Sequence, residues 1–272
     1  MKKNLVYMLG VIGCSSMLMT SCIAEDLGVG NIQQQIESNG EWNKNRTFEL
    51  YFLSSLKNEA VFNADAAVNY INNLGDACSL CLVDRMDVKN SSYMANEATD
   101  VAMKTSHFLS YAMNKYNAEG WDKKFEGSLI LFNHKINSEE GFKVTKDCFV
   151  KFIPIMVKTT TDNPMNILVP FSTVRFETKE QIDAASATFS KVFDNQHSAI
   201  MVGTVKKEAI EDLKKATEKI EGCIYTEVLK NQETDYHMFM ISNPTWVLRE
   251  VRSTNVADDL NAYQLSIEFG VH

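Results

Sequence analysis

The stretch "SAIMVGTVKKEAIEDL" (198–213) joins a short apolar run to a charged segment of helical composition, and it decides the fold class. The apolar run, 199–202, breaks at Gly203, and the helical segment begins three residues later. Proteins of the α/β class place many sites where a strand ends, because the strand holds exposed residues on a rigid base. The residues that follow, 204–206, contain no carboxylate, no histidine and no phosphate-binding loop. The stretch therefore predicts an α/β fold without indicating an activity.

The hydrophobic periodicity of the remaining chain predicts a mixture of strands and helices. The predicted strands are 47–55, 77–84, 127–136, 147–159, 165–174, 198–202, 223–229, 236–242, 246–253 and 261–269. The predicted helices are 63–74, 95–116 (one long amphipathic helix or a broken pair), 180–193 and 206–220. Helices and strands alternate near both ends and the middle is rich in strands. This order favours a layered α/β sandwich over a parallel doubly wound sheet.

The first 21 residues have the pattern of a secretory signal peptide, since Lys2 and Lys3 precede an apolar run at 5–19. The sequence "MTSC" (19–22) resembles a bacterial lipobox, which makes Cys22 the predicted lipidated residue. Cys14 ends a second lipobox-like sequence, but cleavage there would leave the apolar "SSMLMTS" at the new N-terminus. We therefore expect removal of residues 1–21 and lipid attachment at Cys22.

The residues after Cys22 predict a tether and a single domain. Glu25 and Asp26 resemble the acidic tag that sends Bacteroidota-type lipoproteins to the cell surface. Residues 22–45 are rich in Asn, Gln, Gly and Glu and predict a flexible tether, while 46–272 is long enough for one domain with its own core. The expected location is the cell envelope, anchored by lipid to the outer membrane, with surface exposure as the further implication of the tag.

The charge of the chain argues against nucleic acid as a partner. The formal net charge is −8, and removal of 1–21 takes away two lysines and no acids, which leaves −10. Proteins that bind a phosphate backbone normally carry a basic stripe. Duplex DNA or RNA is therefore not an expected partner.

The cysteines are interpreted mainly as structural. Cys78 and Cys81 lie three apart in a predicted strand, so their side chains should point to opposite faces and fill the core. A redox or zinc motif is the alternative, although zinc would need a second pair of ligands at suitable spacing. Cys148 and Cys223 could be bridged in an oxidising compartment, and the sequence leaves this open.

The histidines and two tryptophans carry no recognisable catalytic motif. No histidine pairs with a Ser or Cys in a nucleophile motif, so structural or solvent-facing roles are expected. Trp121 and Trp246 flank loop-like segments, where a core role is favoured over stacking on a sugar or docking a partner. The histidines are His107 on the predicted helix 95–116, His134 and His237 in strand-like segments, His197 in a turn, and His272 at the end.

The order of the predicted segments and their local sequences resemble those of the endonuclease/exonuclease/phosphatase superfamily over roughly 46–272. The similar segments include "FELYFLSS" (48–55), "AAVNYINNLGDACSLCLVDR" (66–85), "NILVPFSTVRF" (166–176), "IMVGTVKKEAIEDL" (200–213), "TDYHMFMIS" (234–242) and "ADDLNAYQLSIEF" (257–269). The resemblance implies a four-layer α/β/β/α sandwich of two mixed sheets flanked by helices.

The resemblance also implies that the catalytic motifs of the family are degenerate in this chain. The substituted positions are Ser54 (or Ser55) for a metal-site asparagine, Ser172 for a phosphate-contacting histidine, Thr204 for an aspartate, Lys206 for an asparagine and Leu260 for the general-base histidine. Leucine cannot accept a proton, and residues that act as a unit lose nearly all catalysis when several are replaced. We therefore expect no phosphoesterase activity and no catalytic residue.

Three acids remain as candidate metal ligands. Asp84 stands where the family has a glutamate ligand, and Asp235 and Asp259 (or Asp258) lie near two later motifs. Carboxylates of this kind suit Mg2+ or another divalent cation, but they are also ordinary acids at strand ends. The favoured function is a non-catalytic envelope lipoprotein that needs no cofactor and binds an unknown protein or glycan. The alternatives are a divergent metal-dependent phosphoesterase or nuclease with a rearranged carboxylate site, and an interaction module of another fold.

Overall fold

The computed structural model describes residues 46–57, 62–89, 97–117, 124–133, 140–145, 148–159, 166–193, 198–229 and 234–270. The predicted signal peptide, Cys22 and the tether lie outside the described residues, as do Trp121, His134, His197 and His272. Within the described ranges, no helix is both long enough and apolar enough to span a bilayer.

Strands dominate the described chain, and the helices are short. The strands are β1 (Thr47–Ser54), β2 (Leu80–Lys89), β3 (Phe108–Asn117), β4 (Lys124–Phe132), β5 (Glu140–Thr145), β6 (Cys148–Lys158), β7 (Asn166–Phe176), β8 (Ile200–Lys206), β9 (Ile224–Glu227), β10 (Tyr236–Ser242), β11 (Trp246–Ala257) and β12 (Leu260–Phe269). The helices are α1 (Ala64–Leu74), α2 (Glu97–Lys104), α3 (Lys179–Val192) and α4 (Ile210–Glu218), with 3-10 turns at Gly75–Ala77 and Lys207–Ala209.

The described strands form two six-stranded sheets. Sheet 1 has the order β11-β12-β1-β2-β4-β3, and sheet 2 has the order β5-β6-β7-β8-β10-β9. The pairs β1–β2 and β7–β8 are parallel, while the other pairs are antiparallel, so both sheets are mixed. The predicted class, two mixed sheets with helices in an α/β sandwich, is confirmed.

Three apolar layers hold the sandwich together. The middle layer lies between the sheets and includes Phe48 and Phe52 from sheet 1 and Phe171 from sheet 2. A second layer packs α3 and α4 on the outer face of sheet 2, and a third packs α1 and α2 on sheet 1. Burial of apolar surface contributes about 25 cal/mol per Å² to such layers. Each inner strand therefore has two buried faces, and its alternate residues belong to different layers.

Local capping explains where two of the helices begin. Asn63 caps α1 because its side-chain oxygen accepts a hydrogen bond from the Ala66 amide. Thr178 caps α3 in a capping box, in which the Gln181 side chain accepts from the Thr178 amide. These caps agree with the predicted starts of both helices.

The predicted helix 95–116 is wrong over its second half. The helix α2 ends at Lys104, and β3 begins at Phe108. Ser106 adopts a positive φ of 57°, and the His107 amide donates to the Ala102 carbonyl across the helix end. This is the hydrogen-bond pattern of a Schellman C-cap, which usually needs glycine at the left-handed position. Because serine and not glycine occupies this position, the sequence pattern did not indicate the end of the helix.

The structure also bears on the interpretations of the cysteines and of Trp246, and it changes one of them. The strand β2 begins at Leu80, so Cys78 lies in the preceding turn and shares the α1/α2 layer with Cys81; the prediction of opposite faces is wrong. Cys223 is a free thiol in the structure, and the side chain of Cys148 lies outside the described part of the chain. Trp246 is 2% exposed in the middle layer, which confirms its core role.

The apolar run at 199–202 does not end at Gly203, because β8 continues to Lys206. Gly203 pairs with Val174 of β7, and a Cβ at Gly203 would lie 2.1 Å from the Val174 carbonyl oxygen. Real Cβ atoms do not approach a backbone oxygen this closely. Glycine is therefore required here by the close approach of the two strands and not by a strand break.

We predict that Gly203→Ala destabilises the fold by about 1–3 kcal/mol or more, because the added methyl must push apart two central strands. Urea unfolding would measure the loss, with Ser190→Ala on the exposed side of α3 as the control, expected to change stability by less than about 0.5 kcal/mol. Equal unfolding midpoints for the two variants would contradict the close approach.

Candidate functional site

One end of the middle layer is polar, and it is the strongest candidate site in the described chain. The apolar residues Phe52, Leu82 and Val202 face the middle layer. Two residues further along each strand, on the same face, come Ser54, Asp84 and Thr204. On β7 the same face continues from Phe171 to Thr173 and Arg175.

Asp84 and Arg175 form an ion pair across the two sheets. The Arg175 Nη1 lies 3.4 Å from Asp84 Oδ2, and both side chains are almost wholly buried, at 3% and 1% exposure. The Thr204 hydroxyl donates to the same Oδ2 at 2.6 Å. Burial of an ion pair is tolerated when hydrogen bonds satisfy its charged groups, and here Thr204 supplies one to the carboxylate, whereas the Arg175 Nε has no hydrogen-bond partner among the described residues.

Arg175 also binds the segment 55–57, which follows β1. Its Nη1 donates to the Ser55 carbonyl and its Nη2 to the Lys57 carbonyl, each at 3.0 Å. The Tyr236 amide donates to the Leu56 carbonyl at 3.2 Å, and the Arg175 guanidinium stacks 3.5 Å from the centre of the Tyr236 ring. The guanidinium is thus held by carboxylate, carbonyl and aromatic groups at once. These contacts close the segment 55–57 over the end of the middle layer.

Burial controls the electrostatics of Asp84. Desolvation raises the pKa of this carboxyl above its ordinary value, while the charge of Arg175 and the hydrogen bond from Thr204 oppose the rise. The Ser54 hydroxyl lies near enough to lower the pKa as well, but its geometry falls short of a full hydrogen bond. The carboxylate therefore depends on Arg175 for its charged form.

The predicted degenerate positions divide between two faces of their strands. Ser54, Thr204 and Lys206 lie on the face of the polar end. Ser172 lies on the opposite face of β7, shared with Val174 in the α3/α4 layer. Leu260 packs in the α1/α2 layer. The structure therefore does not bring Ser172 or Leu260 to the site, because adjacent strand residues point in opposite directions.

The three candidate metal ligands also have different surroundings. Asp84 is buried, whereas Asp235 and Asp259 are exposed. Asp259 forms an ion pair with the Lys57 side chain. Within the described residues, no group of three or more His, Cys, Asp or Glu side chains is arranged to hold a metal ion.

Sequence reasoning missed Arg175 and Tyr236. The signal was present in the pattern of β7, since an arginine in the apolar strand "NILVPFSTVRF" falls on the same face as Phe171. An arginine in a strand with two buried faces requires a buried counter-charge. Its partner, Asp84, lies 91 positions earlier in the chain, so the pair itself could not be read from spacing.

We predict that Arg175→Met destabilises the fold by about 3–5 kcal/mol, because it leaves the Asp84 carboxylate buried without its cation. Adding Asp84→Asn to that variant should recover part of the loss, with a coupling of about 1–3 kcal/mol in a double-mutant cycle measured by urea unfolding. Arg252→Met is the matched control, since Arg252 is half exposed and pairs with Glu250; it should cost less than about 1 kcal/mol. Additive losses for the two site variants would show that Arg175 and Asp84 are not coupled.

The same pair predicts a pH dependence. A carboxyl with a raised folded pKa contributes stability that is present below its unfolded pKa and is lost as pH rises through the folded pKa. Loss of Arg175 raises the folded pKa further, so the cost of Arg175→Met should be smaller near pH 4 than at pH 7. Unfolding curves at both values would test this, and Asp84→Asn in the same background should remove the difference. A cost that is constant across this range would contradict the assignment of Asp84 as the titrating group.

Comparison with known proteins places the fold. No family model matches the chain, and no curated protein matches it in sequence. Among solved structures, an endonuclease/exonuclease/phosphatase family protein from Leptotrichia buccalis matches with a TM-score of 0.56 at 12% identity, over 82% of this chain and 100% of that one. One from Bacteroides thetaiotaomicron matches with a TM-score of 0.46 at 10% identity, over 83% of this chain and 98% of that one. The chain therefore has a distant endonuclease/exonuclease/phosphatase-like fold.

Proposed function

We propose that this protein is a non-catalytic binding protein of the cell envelope, anchored through Cys22 and built on an endonuclease/exonuclease/phosphatase-like fold. The observation that carries the proposal is the Arg175–Asp84 pair at the polar end of the middle layer. A metal-dependent phosphoesterase needs a divalent cation at such a site. Here a guanidinium from the chain itself neutralises the carboxylate.

The contacts of Asp84 leave little opportunity for a cation. Its Oδ2 accepts from Thr204 and faces Arg175, and its side chain is 1% exposed. A cation that approached this oxygen would have to displace a guanidinium that is also bound to two carbonyls. Repulsion between the two positive charges in a buried site opposes this exchange.

The residues that could move a proton also favour a non-catalytic role. The hydroxyls of Ser54 and Thr204 lie at the site, and neither has a pKa near neutrality. Arg175 is always charged and cannot act as a base. Such a site supports the structure of the domain, and we assign the function to recognition of a protein or a glycan at the cell surface.

A divergent metal-dependent phosphoesterase is the second candidate, and one observation favours it. The hydrogen bond that the exposed Lys57 donates to Asp259 has the largest effect in raising the pKa of Lys57, and the charges of Asp259, Asp258 and Asp235 raise it further. These acids therefore lie near one another at the surface beside the segment 55–57. In this alternative Lys57 gives way to a divalent cation such as Mg2+, and exposed acids instead of Asp84 provide most of the ligands.

Thermal unfolding of the full chain with and without millimolar Mg2+, Mn2+ or Ca2+ tests the two candidates. A cation at one hundred times its dissociation constant would stabilise the fold by about 2.7 kcal/mol and raise the midpoint by several degrees. We predict no shift and no hydrolysis of bis(4-nitrophenyl) phosphate.

The control variants make the result specific. A shift that disappears in Asp259→Asn but persists in Asp183→Asn, an exposed acid on α3, would favour the metal-dependent enzyme and refute the non-catalytic assignment. Phosphodiesterase activity that disappears in the same variant would do so independently of stability.

A further inference from the structure

Cys78 and Cys81 form a thiol pair beside the turn that leads into β2. Cys78 follows the 3-10 turn, where its amide donates to the Gly75 carbonyl at 3.1 Å, and Cys81 is the second residue of β2. The two side chains lie in the same apolar layer, three residues apart, where the Cys81 thiol can donate to the Cys78 sulfur. The spacing "CSLC" (78–81) therefore brings two sulfur atoms together on one side of sheet 1.

His107, which follows α2, contacts the Cys78 end of this thiol pair. Its Nε2 lies 2.7 Å from the Cys78 carbonyl oxygen, and its Nδ1 lies 2.7 Å from the Thr105 carbonyl oxygen. A neutral imidazole carries one N–H and can donate to only one carbonyl, whereas the imidazolium donates to both. Two carbonyl acceptors at this distance thus favour the charged ring. The positive φ of Ser106 turns the chain at the end of α2 and brings His107 onto Cys78.

The electrostatics separate the two thiols. The hydrogen bond from Cys81, followed by the hydrogen bond and charge of His107, lowers the pKa of Cys78 to about 6 against the opposing effect of burial. Donating that hydrogen bond, together with burial, raises the pKa of Cys81. Burial lowers the pKa of His107, but its hydrogen bonds to Cys78 and Thr105 outweigh this and raise it. Cys78 therefore ionises more readily than Cys81, and the raised pKa of His107 favours a positive charge beside it.

We propose that Cys78 and Cys81 are a redox-active dithiol, in which Cys78 is the nucleophile, His107 its positioning cation and Cys81 the resolving thiol. The oxidant is a small peroxide, since Cys78 is 2% exposed and lies under the half-buried His107 ring. A low-pKa thiolate with a second cysteine in reach is the arrangement that converts oxidation into a reversible disulfide.

The reaction balances with hydrogen peroxide alone. The Cys78 thiolate attacks one peroxide oxygen, the O–O bond breaks, and the hydroxide that leaves takes the proton of the His107 imidazolium to form water. The resulting sulfenic acid is attacked by the Cys81 sulfur, so that an S–S bond forms, the S–O bond breaks, and the thiol proton leaves with the oxygen as water. Two thiols lose two electrons, and one peroxide becomes two waters.

Cys223 provides a matched comparison within the same chain. It is a free, half-buried thiol, and burial raises its pKa to about 12. Among the described residues, burial accounts for the shift in the pKa of Cys223, whereas Cys78 also has Cys81 and His107 as neighbours. Its reaction with peroxide should therefore be slow although its sulfur is more exposed than that of Cys78.

The test is peroxide treatment of the reduced full-length chain at pH 7, followed by alkylation in denaturant and peptide mass analysis. We expect a disulfide within the 78–81 peptide, formed at least about tenfold faster than Cys223 reacts. In Cys81→Ser, where the hydroxyl can still donate to Cys78, dimedone should label Cys78 as a sulfenic acid. In His107→Gln, the reaction of Cys78 should slow by about tenfold, and in Cys223→Ser it should be unchanged.

Two measurements distinguish a loss of thiol reactivity from a loss of folding. Circular dichroism and thermal unfolding establish that each variant is folded, and the dimedone labelling of Cys81→Ser gives an independent measurement if His107→Gln does not fold. Cys78 and Cys81 that remain open to alkylation after peroxide treatment would overturn the proposal. A disulfide that forms at the same rate with and without His107 would overturn the role of the imidazolium.

Discussion

The buried ion pair between Arg175 and Asp84 is the interaction on which the joining of the two sheets depends. Sheet 2 supplies the guanidinium, while sheet 1 and the segment 55–57 supply the carboxylate and two carbonyls that bind it. A charge of this kind is costly inside a protein unless every partner is in place. Apolar contacts in the middle layer have little directional preference, whereas the ion pair requires Arg175, Asp84 and the segment 55–57 to lie in one relative position. This is the sense in which a polar contact adds specificity to a hydrophobic core.

The alternation of strand residues explains why a single strand can serve two unrelated purposes. On β2, Cys81 faces the layer beneath α1 and α2, while Asp84 faces the layer between the sheets. The thiol cluster and the ion pair are thus separated by the thickness of sheet 1. The same alternation carries Ser172 and Leu260 away from the polar end. Positions that look adjacent in a sequence motif therefore have different chemistry once the strand is formed.

The fold and its chemistry are independent in this molecule. The two-sheet sandwich is similar to that of an endonuclease/exonuclease/phosphatase family protein, and in this chain a buried ion pair lies at one end of the middle layer. A fold positions residues at the ends of its strands, but the residues present there decide what reaction is available. In this chain the strand ends hold a buried ion pair between the sheets, and a separate pair of cysteines lies in another layer.

The sequence by itself determined the layered α/β class and most strand and helix positions, because these depend on local periodicity and on residue type. It could not reveal that α2 ends at Lys104, since the Schellman cap that follows has serine, Ser106, and not glycine at the left-handed position and therefore leaves no compositional signal. Only the tertiary structure decided that Arg175 meets Asp84 and that His107 meets Cys78. Both contacts join residues far apart in the chain, and their formation depends on sheet packing and strand register, which no local pattern of residues contains.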